Sequence, residues 1–440
     1  MSTADPIIPA VLEWATLTPA QQNAQLQRKA GNVDARVSAA VADIIAAVRA
    51  DGDAALIDYT ARFDGVRLQQ LAVSAEEVEW AFQTVTPVQR EAIQTAIDHI
   101  ERFHEAQRFK PVSVETVPGV RCELLSVPLR AVGVYVPAGS APLPSAAMMS
   151  VVPARLAGVK QCVVCTPVRR DGRADAGVVV AATLAGAQRI FKVGGAQAIA
   201  AMAFGTATIP KVDKITGPGN RYVTEAKLQV ANDPQGAAFD LPAGPSEVMV
   251  ITDRSANPAW VAADLLAQAE HDPDAQVILL STDRSHLNAV QAALASQLPL
   301  LSRRELCAQA LANARLIHVD ALSTAVAIAN DYAPEHLMLS VQDPRALLSH
   351  VVSAGSVFLG HTTPETLGDY CSGTNHVLPT YGYAKAYSGL SLKDFYRTMS
   401  VQECSPEGLK RLGPVAITLA QLEGLDAHAQ AVALRLAQCV

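Results

Sequence analysis

Between residues 130 and 360 the hydrophobic period of this 440-residue chain switches back and forth, and that switching limits the fold more than any other feature. Short Val- and Ile-rich runs of strand length alternate with longer stretches whose apolar residues recur at helical spacing. Strand-like runs at 131–136, 162–165, 189–193 and 214–216 are each followed by a helical stretch, at 145–157, 177–187, 196–204 and 220–231. A second series starts at 248–251 and continues with strands at 276–281, 314–319 and 356–359. Its first helix opens at Asn257-Pro258, a capping side chain before a residue whose φ is already helical, and Pro273 stops it. Strands joined through helices run parallel, with crossovers of fixed right hand. Two parallel α/β sheets are therefore expected, joined near 240–246.

The N-terminal section reads as helical. Residues 34–50 carry Val37, Val41, Ile44, Ile45 and Val48 on one face. Ser74 stands three residues before Glu77 in a capping-box arrangement, and Thr86-Pro87 opens a helix that runs to about 107. The C-terminal end reads as a polar tail. Aromatics make up only 5% of the chain, so Ala, Val and Leu must do most of the packing, which suits α/β layers. The length exceeds one ordinary core and calls for two or more domains.

A formal net charge of −7 with no basic stripe argues against nucleic-acid binding, which needs clustered Lys and Arg. No secretory signal is expected in the first ten residues, and the apolar stretch at 145–152 is interrupted by Pro153 and Arg155, too short to span a bilayer. Seven cysteines without framework spacing read as reduced thiols, so a cytoplasmic location is expected. Cys162 and Cys165 form a CxxC inside a strand-like run and read as two core thiols.

No GxGxxG follows any strand, so the usual dinucleotide fingerprint is absent. Three unusual loops take its place in the first series: 136–142, Val193-Gly194-Gly195-Ala196-Gln197, and Thr216-Gly217-Pro218-Gly219-Asn220. In a parallel sheet all three open on the carboxyl edge, where ligands bind, and each feeds a helix N-terminus that favours anions. Their plain reading is tight turns. Gln197 and Asn220 bring amides able to read a ribose or a base, and Tyr135 brings an aromatic edge.

The second series carries the chemistry. Gln268 and His271 are three residues apart near a helix end and share a face. Amide oxygen and imidazole nitrogen suit a borderline ion such as zinc. A lone Gln-x-x-His is common on surfaces, but Asp369, read as a loop residue, and His428, near a helix, can complete a ligand set. Their plainer roles are a turn and a solvated face. Glu335-His336 follows Pro334; His336 is poised near neutral pH for base work, and Glu335 can take a proton from water if burial raises its pKa. The plain alternative for this pair is an ordinary helix start. Cys371 reads as a packing thiol, because an unactivated thiol is protonated at neutral pH.

These segments, together with Val134–Pro137, Leu241–Glu247, 267–273, 330–337 and Ser372–Pro379, resemble the histidinol dehydrogenase family, and the resemblance runs from about residue 33 to 434. It implies NAD-dependent, zinc-requiring, four-electron oxidation of L-histidinol to L-histidine through L-histidinaldehyde, the last steps of histidine biosynthesis. It implies zinc ligands at Gln268, His271, Asp369 and His428. Ser246, His336 and Glu423 would join those ligands around the substrate. Tyr135, Gln197 and Asn220 would contact NAD, and Glu335 and His336 would be the acid/base residues. A homodimer with shared active sites is implied, the tail bearing His428 completing the partner's site. Ala138 stands where this family pattern leads us to expect glycine in the first loop.

The expected fold is α/β, with two Rossmann-like parallel-sheet domains. Residues 1–30 form an N-terminal arm, and 31–133 with 246–378 a discontinuous α/β domain bearing the metal and acid/base residues. Residues 134–245 form the NAD-binding domain, and 379–440 a tail shared with the partner. A dehydrogenase of another alcohol, a zinc hydrolase using Gln268, His271 and Asp369, and a non-catalytic metal module are the rival readings. The hydrolase leaves the three glycine loops without a role.

Overall fold

The strands, numbered along the chain, are β1 (Val11–Glu13), β2 (Val112–Val117), β3 (Val120–Pro128), β4 (Ala131–Tyr135), β5 (Gln161–Cys165), β6 (Arg189–Phe191), β7 (Lys214–Thr216), β8 (Ala238–Phe239), β9 (Glu247–Thr252), β10 (Gln276–Ser281), β11 (Arg315–His318), β12 (His336–Ser340), β13 (Ser356–Leu359) and β14 (Tyr396–Cys404). The structure, a computed structural model, describes residues 8–28, 35–138, 141–242 and 244–438. Asp34, at the expected helix start, and Gly139-Ser140 of the first loop lie outside the described residues.

Six strands form an all-parallel sheet ordered β1-β11-β10-β9-β12-β13, and five form a second parallel sheet ordered β6-β5-β4-β7-β8. The mixed α/β architecture expected from the alternating pattern is thus the one observed. Every residue of β9, β10 and β12 is buried, as central strands covered on both faces require. Side chains alternate between the two layers: Val248, Val250, Val277 and Leu279 enter one core, Met249, Ile251, Ile278 and Leu280 the other.

The same alternation settles the CxxC. Cys162 enters one core of the five-stranded sheet and Cys165 the opposite one. The two thiols face away from each other, and burial pushes the Cys162 thiol up to about 12 and raises Cys165 as well.

The N-terminal helices appear where expected, but the box expected at Ser74 is only half made, because the Glu77 carboxylate accepts from the Ala174 N–H and from Lys192 instead. Ser74 caps the helix Ala75–Thr84 by accepting the Glu77 N–H, and Thr86 and Gln89 form a reciprocal capping box at Pro87–Glu105. Their packing departs from the expected grouping of 31–133 with 246–378. Val37, Val41 and Leu56 share a core with Val163, Phe191 and Ile199, and Ile97 and Ile100 share one with Val132 and Val164. Residues 35–105 therefore cover the five-stranded sheet. A boundary at 133/134 also falls inside β4.

Two further departures concern pairing between distant segments. β1, in the N-terminal arm, is the outer strand of the six-stranded sheet and runs parallel to β11. β14, β3 and β2 form an antiparallel sheet, so part of the expected polar tail is strand, and the rest is two helices, Pro406–Leu422 and Asp426–Leu436. β2 and β14 are exposed at most positions and lack the continuous apolar run that marks the parallel strands. Among the described residues, no helix is long and apolar enough to cross a membrane.

Candidate active site

The amino edge of the six-stranded sheet gathers the titratable residues. β9 and β12 are neighbours, with His336 in register with Val248, so Glu247 and the residues entering β12 lie side by side. Glu335-His336 is therefore a strand entry, where the plain sequence reading gave a helix start. The turn before it has Ala333 at φ 54°, a left-handed conformation unusual for a side chain with a Cβ. The backbone of Glu247 grips both side chains: its N–H donates to Glu335 Oε2 at 2.8 Å, and its carbonyl lies 3.1 Å from His336 Nδ1.

That second contact fixes the histidine tautomer. A carbonyl only accepts, so Nδ1 carries the proton and Nε2 keeps its lone pair. His336 Nε2 is buried with no hydrogen-bond partner among the described residues and lies 3.6 Å from Asp369 Oδ1. Burial, with smaller contributions from His271 and His376, depresses the His336 pKa to about 3, so the ring is neutral at pH 7. Burial raises Glu335 well above the usual carboxylate range, the neighbouring Glu247 and Asp369 charges adding to it.

Asp369 was expected in a loop but lies in a short helix, Glu365–Tyr370. That helix brings in a residue the sequence reading missed. Glu365 is buried, its Oε1 is 3.5 Å from His336 Nδ1, and its Oε2 has no partner among the described residues. Pro364-Glu365 looks like any helix start, and nothing local signals a site. His376 was also missed as a site residue, although it sits inside the Ser372–Pro379 motif. Its Nδ1 contacts the Asp369 carbonyl at 2.9 Å, so its buried, unpartnered Nε2 also holds a lone pair. Burial lowers its pKa to about 4, and that of Asp369 rises to about 6.

Gln268 closes the cluster from the helix Pro258–Ala269. With its nitrogen turned toward the acceptors, the buried amide donates to the Glu247 carbonyl at 3.2 Å and to Glu365 Oε1 at 2.9 Å. His271 follows just past the helix end; burial lowers the pKa of its imidazole, and the ring is near enough to lower that of both His336 and His376. Ser246 precedes Glu247 at the same edge, and its carbonyl accepts the Gln276 N–H.

The donors fit a cation. Ligand atoms of His336, Glu365 and Asp369 lie within 4.8 Å of one another. His336 Nε2, His376 Nε2 and Glu365 Oε2 are all buried without partners, and each such orphan costs about 1–3 kcal/mol. A positive ion beside His336, Glu365 and Asp369 would offset the buried negative charge of the two carboxyl groups. Of the four expected ligands, Asp369 is in this group, Gln268 touches it through Glu365, and His271 is beside it. His428 is not brought to it. Glu423, which caps the end of Pro406–Leu422, and His428, on Asp426–Leu436, are exposed; the two helices pack on each other, and the first also contacts β14.

The second cluster lies at the carboxyl edge of the five-stranded sheet. β5 and β6 lie on one side of β4, and β7 and β8 on the other, so the order in which strands are added reverses between the parallel neighbours β4 and β7. Such a reversal opens the crevice where ligands bind in parallel sheets. Tyr135 ends β4; it is buried, its hydroxyl accepts the Gly195 N–H at 3.1 Å, and burial raises its pKa to about 12. Gly217 crosses this reversal at φ 109°, where a Cβ would stand 2.1 Å from the Tyr135 carbonyl. Lys227 donates to the Gly217 carbonyl, and Asp240 Oδ2 accepts the Gly217 N–H at 2.8 Å. Asn220 caps the next helix by accepting from Tyr222 and Val223, and Gln197 Oε1 is buried without a partner among the described residues.

The two clusters are tied together. Asn375, next to His376, donates to the Met149 carbonyl in the helix that follows the first loop, and Val377 enters the core of the five-stranded sheet.

Comparison with known proteins agrees over nearly the whole length. The family model for histidinol dehydrogenase matches residues 26–436. The chain is 56% identical over 426 residues to histidinol dehydrogenase of Xanthomonas euvesicatoria, covering 97% of this chain and 99% of that one. It is 49% identical over 422 residues to the Vibrio parahaemolyticus protein of the same name, covering 96% and 97%. The crystal structure of histidinol dehydrogenase from Elizabethkingia anophelis superposes with a TM-score of 0.92 at 42% identity, covering 96% of this chain and 97% of that one. The chain is an oxidoreductase and belongs to the histidinol dehydrogenase family.

Proposed function

We propose that the chain oxidises L-histidinol to L-histidine, with L-histidinaldehyde as a held intermediate, in the last steps of histidine biosynthesis in the cytoplasm. The observation that carries this reading is the free lone pair on His336 Nε2, fixed by the Glu247 carbonyl and set beside Asp369, with Glu335 Oε2 3.6 Å from Nδ1 on the other side of the ring. Alcohol oxidation needs a base for the hydroxyl proton, and His336 Nε2 is that base. The second oxidation needs water added to the aldehyde. Glu335, already raised in pKa by burial, is the group that takes the water's proton.

Gln268, His271 and Asp369 would hold a zinc ion, with His428 of the partner subunit as the fourth ligand. When bound, the ion supplies a fixed positive charge that orients the substrate's imidazole and amine. Ser246, Glu423 and His336 complete the substrate's surroundings. Tyr135, Gln197 and Asn220, at the β4/β7 crevice, would hold NAD, which would supply the hydride acceptor.

A homodimer is part of this proposal. The C-terminal helices expose Val415, Leu419, Leu422 and Leu434, an apolar face that a second copy would cover. Swapped onto the partner, these helices would deliver Glu423 and His428.

The test is stoichiometric. With zinc and excess NAD, each histidinol consumed should yield two NADH and one histidine, with no aldehyde trapped by semicarbazide. One NADH per histidinol, or none, contradicts the reading.

A further inference from the structure

The amino edge that carries Glu335 and His336 is held from outside by a residue of the N-terminal arm. Arg28 reaches the start of β9 and forms a two-pronged pair with Glu247: Nε meets Oε1 and Nη2 meets Oε2, the latter at 2.8 Å. Glu247 is 1% exposed. The same guanidinium donates to the carbonyls of Tyr332 at 2.9 Å and Ala333 at 3.3 Å, and lies 3.7 Å from the Tyr332 ring centre. Tyr332 ends the helix Leu322–Tyr332, and Ala333, its left-handed cap, launches Pro334-Glu335-His336.

Arg28 therefore grips both sides of the acid/base pair. On one side it fixes the turn leading into Glu335. On the other it fixes Glu247, whose backbone N–H holds Glu335 Oε2 and whose carbonyl holds His336 Nδ1. Tyr381, at φ 53°, adds its N–H to Glu247 Oε1 at 3.1 Å. Two of these contacts end on backbone carbonyls, which a structural ion pair alone does not require. A planar fork suits this geometry and an ammonium does not, because it must serve a carboxylate and two carbonyls together.

We propose that Arg28 and Glu247 are positioning residues for the oxidation. Their bidentate pair sets the register of the β9 entry against the Glu335-His336 turn, and so the tautomer of His336 and the aim of Glu335. The proposal rests on the assignment of Glu335 and His336 as the acid/base pair. The N-terminal arm is then part of the catalytic apparatus and more than an added edge strand.

Arg28→Met, Glu247→Gln and the double variant, made in the full chain, test it through kcat, the KM for histidinol, bound zinc and Tm. Arg28→Met should lower kcat at least about tenfold, with the histidinol KM and zinc content within about threefold of the parent, because misplacement acts on the reacting step. Its Tm should fall, since Glu247 is left as an unpaired buried charge. The double variant removes that charge and should regain the parent Tm while kcat stays at least about tenfold down. Recovery of kcat together with Tm shows a merely structural pair and overturns the proposal. If Arg28→Met does not fold, Arg28→Lys decides: a parent-like Tm with a lowered kcat supports positioning, and full kcat overturns it. A parent enzyme that fails to oxidise histidinol instead refutes the function proposed above.

Discussion

His336 Nε2 stands 3.6 Å from Asp369 Oδ1, too far for a hydrogen bond, and has no other partner among the described residues. Its other nitrogen is occupied by the Glu247 carbonyl. One imidazole is thus anchored at one end and free at the other. This is the arrangement a general base needs, and it lies within a cluster able to hold a cation.

His336→Asn should lower kcat by a factor of about 10² to 10⁴, the usual contribution of a positioned base. Bound zinc, measured by elemental analysis, should stay near that of the parent. Loss of zinc together with turnover would make Nε2 a metal ligand and remove it as the base. His271→Asn should show the reverse ordering, with zinc lost first.

Asp369 gives a pH prediction. Burial raises its pKa from 3.8 to about 6, so the folded protein holds more protons than the unfolded chain between these values. Without metal, this costs stability as pH rises through that window, and the cost is complete above about 6. Zinc needs the carboxylate and relieves the cost. The zinc-induced rise in Tm should therefore be larger at about pH 7.5 than at about pH 5. An equal rise at both would detach Asp369 from the ion. His336 acts in the opposite sense: its folded pKa of about 3 gives stability that is present above 6.5 and lost as pH falls toward 3.

Gly217→Ala should damage the nucleotide edge alone. Its Cβ would collide with the Tyr135 carbonyl, and φ 109° disfavours any side chain, at a cost of about 1–3 kcal/mol. The KM for NAD should rise about tenfold or more while zinc content is kept. An unchanged KM for NAD would place the nucleotide elsewhere.

Mixing subunits tests whether His428 serves the partner. His336→Asn and His428→Ala should each be nearly inactive alone. After mixed refolding, heterodimers should regain part of the activity, because one of their two sites has both residues intact. No recovery would return His428 to its own chain.

The parallel sheets were legible because their strands are continuous apolar runs bounded by helix signals, as at 276–281. Gln268 and His271 were legible from helical spacing, and Glu335-His336 from its place after Pro334, although that pair opens a strand. β1, β2 and β14 were hidden because their pairing depends on contacts between segments far apart in sequence, such as Val11 with Leu316 and Thr398 with Ser126. Glu365 escaped notice for a similar reason: only tertiary packing turns an ordinary helix-start glutamate into a buried, unpartnered carboxyl. The role of Arg28 depends on Glu247, 219 residues later.

The most direct test is diffraction from zinc-loaded crystals at the zinc absorption edge. One anomalous peak per subunit is predicted, coordinated by Gln268, His271, Asp369 and His428 of the partner subunit. A peak elsewhere, or one that leaves Gln268, His271 and Asp369 outside coordinating reach, would contradict the account.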